Sequence, residues 1–64
     1  MSLATELAES YINGNITYVR DMILSQPIND MYDLFTNILE ELNEYDQLNF
    51  SKYMVRFLLE NYTN

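Results

Sequence analysis

Only two of the 64 residues, Gly14 and Pro27, are of the kind that interrupts regular backbone. With so few obligatory turns the chain must consist of a small number of long elements, and the spacing of its apolar residues says of which kind. Leu3, Leu7, Ala8, Tyr11 and Ile12 recur at intervals of three and four, while Glu6, Glu9 and Ser10 take the other side. No segment alternates strictly, so strands are not expected. The sequence therefore reads as all-α: a compact bundle of about four short helices in a single domain over residues 1–64, the first two forming an antiparallel hairpin.

Ser2 is placed to cap the first helix, and Gly14 to end it in the left-handed conformation that side chains avoid. Asn15 then caps a second helix carrying Ile16, Val19, Met22 and Ile23. That helix stops near Ser25-Gln26-Pro27, because the residue before a proline is biased away from helical backbone. A third helix, expected to be the longest, opens at Asn29 or Asp30 and carries Met31, Leu34, Phe35, Ile38, Leu39, Leu42 and Tyr45. The polar stretch from Asn43 to Asn49 is expected to separate it from a last helix capped by Asp46 or Asn49. Over residues 3–24 the run LATELAESYINGNITYVRDMIL is similar to the helix pair of an ankyrin repeat, in which a Gly-Asn turn precedes a Val-containing helix. The Thr-Pro-Leu-His opening of that repeat is missing and no second copy follows, so the resemblance implies a helical hairpin and no family.

The chain has no His and no Cys, which removes the usual general base, the usual zinc ligands and any disulfide framework. Ser2, Ser10, Ser25 and Ser51 have no imidazole to activate them, Lys52 is the single lysine, and no Gly-rich phosphate loop is present. The acids do not follow the spacing of a calcium loop, and Glu40, Glu41 and Glu44 read as a solvated face. Paired carboxylates need a cleft, and a chain this short buries only about 60% of its unfolded surface. The expectation is a protein that is not an enzyme and takes no cofactor and no metal. The opening MSLATELAES lacks a basic n-region and a continuous apolar run, so no secretory signal is expected. No stretch approaches the roughly 20 apolar residues of a membrane span. A cytoplasmic protein, in the host cytoplasm if viral, is the expectation.

Ten acids against three bases give a net charge of −7, which argues against direct binding to nucleic acid or to an anionic membrane. Between Asp21 and Ser51 there are six acids and no base. On a continuous helix, five of them (Asp30, Asp33, Glu40, Glu41 and Glu44) fall within about one third of the circumference. Neighbours such as Glu40 and Glu44 repel by about 0.2–0.5 kcal/mol where a stability-shaped sequence would have interspersed lysines. The ridge spans roughly 20 Å. It is expected to dock on a basic surface of a protein partner, as an imitation of nucleic-acid phosphate.

The last helix offers a second surface. Leu48, Phe50, Tyr53, Met54, Val55, Phe57, Leu58, Leu59 and Tyr62 cover about two thirds of its circumference, whereas a surface helix needs an apolar arc of little more than about 100°. An arc that wide should be covered on two sides, and the sequence predicts a homodimer or partner interface along it. Six tyrosines suit such a margin. Lys52 and Arg56, one turn apart, are placed to pair with a partner's acids. The expected function is that of a small acidic interaction protein, a regulator or inhibitor docking on a larger protein, with an assembly adaptor acting through its homodimeric C-terminal helix as the alternative. In size, acidity and lack of catalytic groups the chain resembles the small accessory proteins of phages.

Overall fold

In the computed structural model, which describes residues 1–62, the elements follow in the order α1 (Leu3–Ile12), α2 (Ile16–Leu24), a single 3-10 turn (Ile28–Asp30), α3 (Met31–Glu40) and α4 (Glu44–Tyr62). The four-helix, all-α expectation holds. Among the described residues no helix is long and apolar enough to cross a membrane.

The first hairpin forms where the local chemistry places it. Ser2 Oγ accepts from the Thr5 amide at 3.2 Å, satisfying one of the amides that a helix start leaves open. At the other end Gly14 takes φ +82°. Its amide donates to the Tyr11 carbonyl at 3.1 Å and that of Asn15 to the Ser10 carbonyl at 2.9 Å, the paired bonds of a Schellman ending. Asn15 occupies the capping position of α2 but makes no side-chain cap bond. The two helices pack on each other, and the Tyr18 hydroxyl ties them by donating to Glu6 at 2.8 Å. That hydrogen bond is the main reason the Tyr18 pKa is raised, with burial and the Glu6 charge adding to it.

The junction of α3 and α4 corrects the sequence reading. The third helix ends at Glu40 instead of running through to Tyr45, and α4, which begins at Glu44 inside the supposed linker, is the longest at 19 residues. Asn43 makes the break: its Oδ1 accepts from the Asp46 amide at 2.9 Å, and its carbonyl accepts the first α4 bond from Gln47 at 2.8 Å. Charge acts in the same direction. Glu40, Glu41, Glu44 and Asp46 would oppose the negative C-terminal end of a continuing helix, but Glu44 and Asp46 suit the positive start of a new one. The Gln47 side chain then reaches back to donate to the Leu39 carbonyl at 2.8 Å, a second donor on an acceptor that also takes the Leu42 amide at 3.1 Å, and so ties the start of α4 to the end of α3. Asn43→Ala should cost about 0.5–2 kcal/mol in urea unfolding, and an unchanged midpoint would contradict this role for the cap.

The core gathers the inner faces of all four helices: Leu7 and Ala8 from α1, Val19 and Ile23 from α2, Leu34, Phe35 and Ile38 from α3, and Phe50 and Phe57 from α4. Leu42 is buried although it lies between helices. Phe50 is the hub, with the rings of Tyr11, Tyr53 and Phe35 centred 5.0, 5.6 and 6.0 Å away. Tyr53 completes this cluster at a cost, since its buried hydroxyl has no hydrogen-bond partner among the described residues. Burial raises the Tyr53 pKa above its ordinary value, opposed by the charge of Arg20. A phenol whose folded pKa is raised stabilises the fold fully below the unfolded pKa of 10.0, and that contribution is lost as pH climbs past it. Tyr53→Phe removes the orphaned hydroxyl. It should raise stability by up to about 1 kcal/mol and move the alkaline unfolding transition upward; a downward shift would show that the hydroxyl is satisfied.

Candidate interaction surfaces

The nine residues assigned to the last helix divide by depth. Phe50 and Phe57 are at 0% and 2% exposure and belong to the monomer's own core, which corrects their assignment to an interface. Tyr53 and Met54 are half-buried and pack against that core. Leu48, Val55, Leu58, Leu59 and Tyr62 are exposed, with Leu48, Val55 and Leu59 at 58, 59 and 60%. The broad apolar arc is thus two faces: one satisfied internally and one turned outward. A shallow hollow of about 550 Å³ on the outer side is lined by Lys52, Val55, Arg56, Leu59 and Glu60, all of them residues of α4.

Lys52 and Arg56 make no ion pair among the described residues, whereas the third base, Arg20, lies 3.3 Å from Asp21. Two of the chain's three positive charges therefore stand on the outer face of α4 beside exposed aliphatic groups. Tyr45, at the start of the same helix, is 75% exposed.

The acidic residues come together on the other candidate surface, though not as a ridge on one helix. Asp30 lies in the 3-10 turn, Asp33 and Glu40 on α3, Glu41 just beyond it, and Glu44 opens α4. The first four line an open groove of about 480 Å³ between α3 and the start of α1, together with Ser2, Leu3, Ala4, Gln26, Leu34 and Asn37. Glu44 is not among its lining residues, because the break at Asn43 starts a new helix axis. Glu41 accepts a hydrogen bond from the Thr5 hydroxyl at 3.0 Å, so one groove carboxylate also ties α1 to the end of α3. No basic residue lines the groove.

The tyrosines expected at an interface are similarly divided. Tyr11 and Tyr53 belong to the aromatic cluster, Tyr18 serves the hairpin, and Tyr32, Tyr45 and Tyr62 are exposed. Compared with protein-family models, curated proteins and solved structures, the chain matched none.

Proposed function

We propose that the chain is a non-catalytic protein-interaction module that works through the outer face of α4. The observation that carries this reading is the line of exposed aliphatic side chains at Leu48, Val55 and Leu59, on a helix whose opposite face fills the core. An apolar strip continuous along a helix, rimmed by polar groups, is the mark of a surface that is covered in use. Lys52 and Arg56 on its margin give direction to an approaching partner more than affinity, since exposed pairs contribute at most about 1 kcal/mol.

The acidic groove favours a second reading, in which Asp30, Asp33, Glu40 and Glu41 dock on a basic protein surface of the kind that otherwise holds nucleic acid. The two readings separate in one experiment. A photocrosslinking residue is placed at Val55, at Asn37 in the groove, or at exposed Thr17 on α2, in the cells that make the protein. Adducts at position 55 alone support the first reading. Adducts at 37 alone, weakened by salt and by Asp33→Lys with Glu40→Lys, transfer the function to the groove. Equal labelling at all three positions refutes both.

A further inference from the structure

The stretch of α4 from Gln47 to Leu59 holds two bases, Lys52 and Arg56, and no acid, whereas all ten acids and one base, Arg20, lie outside it. A positive stretch in a chain that carries −7 thus coincides with the exposed aliphatic strip. At 100° per residue Val55, Leu48 and Leu59 fall within an arc of about 40°. Lys52 and Arg56 follow on one edge of that arc, and uncharged Ser51 and Leu58 on the other. Neither base makes an ion pair among the described residues, although Glu60 lies one turn beyond Arg56. Both bases line the same hollow as Val55.

Resting on the reading of α4 as the working surface, we propose that its occupant is an amphipathic helix of another protein, carrying acids along one edge of its apolar stripe. The bases define the charge of that helix, because a carboxylate laid beside the strip meets a cation that this chain leaves without an ion pair. A second copy of the chain would bring only the same two bases to them. Two bases are also too few for a nucleic-acid backbone or an anionic membrane, whose extended charge a body of −7 repels. The shape of the strip defines the backbone. From Leu48 to Leu59 it runs along α4 for about 17 Å, so a helix laid alongside covers it with a single stripe. An extended segment draws its affinity from main-chain pairing with a sheet edge, and every regular element among the described residues is a helix. Lys52 and Arg56 stand one turn, about 6 Å, apart along the axis. An aligned helix matches them with two acids three or four residues apart on one edge.

A displayed library of helices of about 18 residues, long enough to cover the strip, is the first probe. Each helix has a fixed leucine stripe, with Glu, Gln or Lys varied along both of its edges. Selection on the full chain, with Val55→Asp as the counter-target, should enrich Glu three or four residues apart on one edge only. Val55 is 59% exposed, so its substitution should leave the helical circular-dichroism spectrum unchanged. An exposed ion pair is worth up to about fivefold in affinity, so Lys52→Glu with Arg56→Glu should weaken the selected helices by about five- to thirtyfold. The same double variant should favour their Lys counterparts. Enrichment of Gln or Lys in helices that still need Val55 overturns the acidic assignment and leaves α4 as a docking surface. Failure to retain any helix that needs Val55 overturns the inference, and photocrosslinking at position 55 then decides the broader reading by itself. Phosphatidylglycerol vesicles are the second probe: binding that Lys52→Glu with Arg56→Glu abolishes would give this face to a membrane and overturn the proposal.

Discussion

Phe50→Ala is expected to leave the chain largely unfolded at ordinary temperature. The ring is fully buried and stands at the meeting point of three helices, within 5.0 Å of the Tyr11 ring on α1 and 6.0 Å of the Phe35 ring on α3. Truncating a buried phenylalanine to alanine costs about 3–5 kcal/mol, the transfer of the ring plus the cavity it leaves. At about 0.05–0.15 kcal/mol per residue, a domain of this size holds only roughly 3–10 kcal/mol in total. The cavity also cannot close easily, because the stacked Tyr53 ring at 5.6 Å rests on the same side chain and would lose its support. Phe50→Leu, which keeps most of the volume, should fall between the variant and the native chain. Urea unfolding followed by circular dichroism is the measurement, and a Phe50→Ala midpoint equal to the native one would remove Phe50 from the centre of the core.

The parts of this fold that were legible in the sequence are those decided within a few residues. Ser2, Gly14 and Pro27 mark boundaries because a capping oxygen, a positive φ and a fixed φ are local properties, and the structure places helix ends beside each of them. The break at Asn43 is also local and its signal was present: an asparagine followed by two acids in the next three positions reads as a helix start. It was masked by Leu39, Leu42 and Tyr45, whose spacing also fits one uninterrupted helix. Misplacing that boundary carried into the candidate site. Glu44 was aligned with Asp33 and Glu40 on a helix that does not exist, while the other four acids are brought to one groove by the turn at Asp30 and the packing of α1 on α3. The division of α4 into inner and outer faces was not legible by hydrophobicity alone. Phe50 and Leu48 are both apolar, and which of them meets the core depends on how α3 and α1 lie across the helix, a property of the whole bundle.

That division carries the second large expected effect. Phe57 and Leu48 lie nine residues apart on α4, which at 100° per residue puts them on opposite sides. Phe57 is 2% exposed and packs edge-on to Phe35 at 6.0 Å, so Phe57→Ala should cost about 3–5 kcal/mol and unfold much of the population. Leu48 is 58% exposed, and Leu48→Ala in the dilute monomer should change stability by under about 0.5 kcal/mol. The order reverses when association is read instead: Leu48→Ala should loosen the hold of a partner on the outer face while leaving the fold intact, whereas Phe57→Ala can affect association only by way of unfolding. Thermal unfolding of the isolated chain, set beside the photocrosslinking yield from position 55 in each variant, reads the two effects separately. Equal destabilisation by the two substitutions would mean that α4 is covered on both sides within one chain, and no strip would then remain for a partner to cover.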